Sequence, residues 1–190
     1  MPRLSYVFAA LIATILSLPA AAQVVLTPAN PQPTGLTPGL KVVYGTAPDI
    51  KSLNKASWAT RKNGKPGQPL RGLSYADTKP GEGALTSGIA EKVAAQINGY
   101  IRFDAPGTYD VDFVTNDGIR ATIGGQQVGY FDGRQTCQPT FTETVQVPQA
   151  GWYEVDILWF QRLVTSCLNM RWGPAGGQVK WVPDAQFGYK

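Results

Sequence analysis

Few residues of the chain have types and spacings that could do chemistry. The 190 residues include no His. That removes Ser-His-Asp and Cys-His nucleophile systems and every His-ligated metal site. Carboxylate chemistry remains. Asp110 with Asp112 and Glu154 with Asp156 are spaced i, i+2 within alternating runs, so each pair shares one face of a predicted strand. Two residues along a strand cover about 7 Å, a separation at which paired carboxylates could bracket a sugar. The solvated outer face of a half-buried strand gives the same pattern, and the alternation favours that reading. The expectation is therefore that the chain is not an enzyme. Cys137 and Cys167 lie far apart in sequence and have no His beside them, which disfavours zinc.

The elements that must position these residues centre on one stretch, Pro106 to Gly133. Tyr109, Val111 and Phe113 alternate with Asp110, Asp112 and Val114, the period of a strand with one buried face. Asn116-Asp117-Gly118 breaks the run with residues that tolerate the positive φ of a tight hairpin. Ile119, Ala121 and Ile123 resume the alternation, and Gly124-Gly125 turns the chain again before Val128, Tyr130 and Phe131.

This stretch resembles the PA-fourteen domain family, the protective-antigen fourteen-kilodalton domain. The resemblance rests on Gly107-Thr108-Tyr109, Asn116-Asp117-Gly118, the short strand Ile119 to Ile123 and the turn Gly124-Gly125. It extends to Asn98-Gly99-Tyr100-Ile101 before that stretch. It also takes in Gly151-Trp152-Tyr153 and the strand Leu168 to Trp172 after it. It implies an all-β fold, an antiparallel β-sandwich or β-barrel-like single domain over 39–190, serving as a carbohydrate-binding or adhesive module. In lectin-like members an Asp-Asp pair joined by a cis peptide holds calcium, and the ion binds sugar hydroxyls. Calcium takes six to eight oxygen ligands. Asn116 replaces the first Asp here and removes one negative charge. Two readings of Asn116-Asp117 stand side by side: a ligand site and a plain hairpin turn. The expected binding set is Asn116, Asp117, Tyr130, Asp132, Arg134, Gln161 and Arg162, with Asn116 and Asp117 on calcium; the resemblance implies a second loop, Gln161 to Cys167, with Asn169 at its edge. The expected partner is a glycan or cell-envelope polysaccharide. The alternative is a structural or protein-interaction domain that binds another envelope protein and neither glycan nor calcium.

The N-terminus reads as an export signal. Arg3 precedes an apolar run, Val7 to Leu18, and Ala20-Ala21-Ala22 fits cleavage before Gln23. The run is shorter than the roughly 20 residues that span a bilayer, so no membrane span is expected in the mature chain. A secreted or periplasmic protein meets an oxidising compartment, where Cys137 and Cys167 are expected to pair in preference to remaining buried free thiols. The net charge of +4 is too small to argue for nucleic acid. With 21 Gly and 15 Pro, turns are abundant and an all-β class follows.

Along the chain, 23–38 is expected as a Pro-rich tether and 40–45 as the first strand. Ala56 to Ala59 is expected as a short strand around Trp58. The segment 60–83 reads as a long irregular loop holding Arg61, Lys62, Lys65, Arg71 and Lys79 against Asp77 and Glu82. A solvated excursion is the favoured reading of that loop, and an anionic-ligand contact the alternative. The segment 89–95 is open between strand and helical turn. Phe141, Val145 and Val147 are expected to face a core, as are Trp152, Trp159 and Trp172. Trp58, Tyr75, Tyr130, Phe131 and Trp181 are expected in or near loops, where a ring could stack on a sugar.

Overall fold

The structure is a computed structural model and describes residues 24–190. The expected signal peptide, 1–22, lies outside the described residues. In chain order the elements begin with β1 (Val24–Val25), β2 (Thr37–Pro38), β3 (Lys41–Thr46), the helix α1 (Leu53–Asn63), β4 (Lys65–Pro66) and β5 (Ser74–Tyr75). The long central strands follow: β6 (Val93–Phe103), β7 (Gly107–Asn116), β8 (Ile119–Ile123) and β9 (Gln126–Phe131). The chain then forms β10 (Gln138–Pro139), β11 (Glu143–Val147), β12 (Gly151–Gln161) and β13 (Cys167–Pro174). It ends with β14 (Lys180–Trp181) and β15 (Phe187–Tyr189).

These strands form two facing sheets. One runs β1-β11-β7-β13-β14, with β10 on β7 and β5 on β13. The other runs β2-β15-β6-β12-β8-β9, with β3 on β6 and β4 on β3. Pairing is antiparallel except for β1 on β11. Alternate side chains meet between the sheets, among them Phe103, Phe113, Tyr153, Ile157 and Trp159, all buried. The expected all-β sandwich is what the chain forms.

Several local expectations are corrected. Of the expected tether, 23–38, the described residues 24–38 are part of the fold. Val24 and Val25 pair with Val145 and Gln146, Leu26 sits in the core, and Thr37 and Pro38 pair with β15. The pairing falls on Val24 and Val25, ahead of the segment's first proline, and on Thr37 and Pro38 at its end. Gln32 adds side-chain bonds to Ala29 and Trp152 backbone oxygens and to the Trp152 N–H.

The stretch around Trp58 is a helix, not a strand. Ser52 Oγ accepts from Lys55 N at 3.3 Å and caps it. Leu53, Ala56 and Ala59 recur at helical spacing and pack, with Ala47 and Ile50, on Ala94, Leu158 and Phe160. The helix covers the outer face of β6 and β12, which is why both faces of β12 are apolar beyond Asp156. The expected loop 60–83 therefore starts with the helix's last turn and includes β4 and β5. Phe141 is exposed, because β11 begins only at Glu143. Trp152 and Trp172 are half-buried rather than core. Trp172 closes the end of the sandwich against Phe103 and Tyr109.

Candidate functional site

The β7–β8 turn is built by backbone contacts to β12. The Asn116–Asp117 peptide is cis. Asp117 N donates to Phe160 O, and Phe160 N donates to Gly118 O, both at 3.0 Å. The turn was expected to use positive φ, but none of Asn116, Asp117 and Gly118 has it. Gly118 is required for space instead. A Cβ there would meet the Phe160 ring at 2.3 Å and Phe131 O at 2.8 Å. At Gly124-Gly125 the expectation holds, with φ of 53° and 77°.

Asp117 is 4% exposed. Its carboxylate gathers two further loops: Oδ2 accepts from Arg162 N at 2.8 Å and Oδ1 from Gln135 N at 3.2 Å. Burial pushes this carboxyl above its ordinary range. The two N–H donors, and the charges of Arg134 and Arg162, pull the other way. Asn116 Nδ2 donates to Thr165 Oγ1 at 3.0 Å. Beneath them Trp159 Nε1 donates to Thr115 Oγ1, and Gln135 Nε2 to Thr115 O. The Cys137–Cys167 disulfide has formed, as expected. Cys167 lies opposite Asn116 in the β13–β7 register, so the bridge ties the loop after β9 to the same corner.

The result is a concavity of about 470 Å³ lined by Asn116, Asp117, Arg134, Gln135, Thr136 and 163–165. Of the expected binding residues, Asn116, Asp117 and Arg134 line it. Arg162 supplies its backbone N–H, while its guanidinium donates to Asp49 Oδ1 at 2.7 Å. That bond is the main reason the Asp49 carboxyl is held low. Asp132 is a helix anchor: its Oδ1 accepts from Leu53 N at 2.7 Å. Gln161 is fully buried under the loop, with Nε2 donating to Thr165 O and Oε1 unpartnered. Tyr130 is exposed on β9 outside the lining. Gln135 and Thr136 were missed, since lone polar residues in loops carry no periodic signal.

The side-chain donor set falls short of what a resident calcium ion takes. It offers one carboxylate, both of whose oxygens already accept N–H bonds, and the Asn116 amide oxygen. Calcium takes six to eight oxygens and its affinity follows ligand charge. Arg134 puts a like charge in the same concavity. Asn169 is bound elsewhere, with Nδ2 donating to Tyr75 O. Asp77 lies near both cysteines, but their sulfurs are joined in the disulfide and offer no thiolate.

Of the four paired carboxylates, three are committed to other contacts. Asp110 accepts from Thr144 Oγ1 and Gly176 N, and Asp156 from Asn98 Nδ2. Asp112 is buried, where a solvated outer face was expected. Arg171 Nε and an Nη bond its two oxygens at 2.8 and 2.6 Å. The Asp112 hydrogen bond in turn raises the Arg171 guanidinium.

Comparison with known proteins agrees with this architecture. No curated protein sequence matches. Among solved structures, the PA14 domain of the MpAFP antifreeze protein superposes with a TM-score of 0.70 at 17% identity, covering 83% of this chain and 93% of that one. A PA14 sugar-binding domain from an RTX adhesin gives 0.62 at 15% identity, covering 81% and 99%. The epithelial adhesin 9 A domain from Candida glabrata, in complex with Galb1-3GlcNAc, gives 0.63 at 14%, covering 88% and 94%. At these identities the likeness concerns the fold. The family model described as PA14 domain matches residues 53–186, well over half of the chain, and the chain belongs to that family.

Proposed function

We propose that the chain is an exported, non-catalytic glycan-binding module that uses the concavity at Asn116 and Asp117. The observation that carries this reading is the Asp117 carboxylate. It is held by two backbone N–H groups, has no ion pair among the described residues, and lies in the wall of a concavity. A desolvated carboxylate of this kind is relieved by hydroxyl donors, which a sugar supplies in pairs. Arg134, which also lines the concavity, donates to sugar oxygens, and the exposed Val164 offers an apolar contact. The sugar-binding RTX adhesin domain and the glycan-bound adhesin 9 domain, which share this fold, support the ligand class. Export is supported by the formed disulfide.

Calcium assistance is left outside this reading because the donor set is short of charge and oxygens. Binding is proposed to be direct and to survive a chelator. A second reading, an envelope protein partner, is favoured by one feature: the lining contains no aromatic ring for stacking. A glycan panel probed with wild type, Arg134→Ala and Asp117→Asn separates the two. The glycan reading expects retained spots that both variants lose. No retained glycan with wild type leaves the protein-partner reading.

A further inference from the structure

The charge of the chain is concentrated in one place. Between Asp49 and Asp77 there is no Asp or Glu, and there are six cations: Lys51, Lys55, Arg61, Lys62, Lys65 and Arg71. The rest of the chain holds eleven basic against thirteen acidic residues, so this segment supplies more than the whole net positive charge. Lys51 and Arg71 are paired with Asp49 and Asp184. Lys55, Arg61, Lys62 and Lys65 have no ion pair among the described residues.

The helix orders these four. Its apolar side is sealed on Ala94, Leu158 and Phe160, which leaves Lys55, Trp58, Arg61 and Lys62 outward. Lys55 and Lys62 are seven residues apart, about 10 Å along the axis. Trp58 lies between them, 43% exposed, with Lys55 Nζ 5.3 Å from its ring centre. Asn63, the last residue of α1, and Lys65 beyond it join the wall of a concavity of about 600 Å³, together with Thr46, Gln68, Ser87 and Ile89. Spaced cations and an exposed indole lie on α1, and a hydroxyl- and amide-lined groove adjoins its C-terminal end through Asn63.

We infer that this face binds an anionic polysaccharide. Acid groups along the polymer meet Lys55, Arg61, Lys62 and Lys65, and a sugar ring packs on Trp58. A membrane surface fits less well. A helix that lies on a bilayer presents several apolar side chains to it, and those of α1 are already used against the sheet. The inference concerns a surface separate from the concavity at Asp117 and does not rest on it.

The test uses dextran sulfate as the probe, uncharged dextran as its neutral control, and vesicles of anionic phospholipid. Three proteins are compared: wild type, a patch variant (Arg61→Gln, Lys62→Gln, Lys65→Gln) and a charge-matched control (Lys79→Gln, Arg120→Gln, Lys180→Gln). Wild type is expected to bind dextran sulfate, more weakly as salt rises, and to ignore dextran. The patch variant is expected to bind about tenfold more weakly or worse, with the control within about twofold of wild type. Trp58→Ala is expected to weaken binding at high salt, where stacking outlasts charge. Asp117→Asn is expected to leave it unchanged, which separates this surface from the proposed glycan site. Equal loss in the patch variant and the control would reduce the effect to net charge and overturn the inference. Vesicle binding that follows the patch as strongly as dextran sulfate does, or no binding by wild type, would also overturn it.

Discussion

Replacing Arg171 by Met should destabilise the protein severely, and replacing its partner as well should largely repair it. Asp112 and Arg171 are directly opposite in the β7–β13 register and bond through two N–H···O contacts. Only 4% of the Asp112 side chain reaches solvent, against 26% for Arg171. Arg171→Met removes both donors and leaves the carboxylate enclosed. Breaking a buried pair from one side costs about 3–5 kcal/mol. Loss of the Trp181 ring contact, 5.6 Å from the guanidinium, adds about 0.5–1 kcal/mol. For a domain of this size each kcal/mol lowers Tm by about 2–4 °C, so a fall of about 7–24 °C is expected. In Asp112→Leu with Arg171→Met no charge is left buried, and most of the loss should return. Urea unfolding followed by Trp fluorescence gives both numbers, and the double variant is informative even if the single one fails to fold. The reasoning is refuted if the single variant loses under about 1 kcal/mol, or if the double variant is as unstable as the single. The pair matters to the site because Asn116 and Cys167 lie four residues further along the same two strands.

Reduction of Cys137–Cys167, or replacement of both by Ser, should cost about 3–4 kcal/mol for a loop of this length, read as a shift of the urea midpoint. Asp132→Ala should lower stability by about 0.5–2 kcal/mol through the freed Leu53 N–H, while ligand affinity changes little. Gly118→Ala should cost about 1–3 kcal/mol by overpacking against Phe160, measured by thermal melts. Ligand affinity should fall on acidification earlier than an ordinary Asp would allow. The Asp117 pKa is raised in the fold, so its protonated form is favoured there and the stability it contributes is present below the unfolded value of 3.8. That contribution is lost as pH rises through the folded pKa, while the ionised form needed for binding appears over the same window. In Arg134→Ala the Asp117 carboxyl should titrate at higher pH, followed by NMR, because the arginine's charge pulls that pKa down.

The strands that frame the site were legible because each buries one face. Tyr109, Val111 and Phe113 alternate, as do Tyr153, Val155, Ile157 and Trp159, and the sheets pair them as that pattern requires. The helix was hidden because Trp58 between alanines reads as well in a strand as on a helix surface. The signal available was on its partner: Leu158 and Phe160 are apolar on the face that Glu154 and Asp156 make polar, which calls for a covering element. The N-terminal strands were hidden by proline content, although Val24 to Leu26 formed an apolar run. At the site, the turn at Asn116 and the disulfide were readable from residue type and compartment. The separate roles of Asp132, Arg134 and Arg162 were not. Loop residues have no period, and which carboxylate meets which arginine is decided only when three loops converge.

The central claim is tested most directly by titrating wild type, Arg134→Ala and Asp117→Asn with the best glycan from the panel, by calorimetry, with and without chelator. The account predicts saturable heat in wild type that is unchanged by chelator and at least about tenfold weaker binding in both variants. Equal binding by all three proteins, or wild-type binding abolished by chelator, would contradict it.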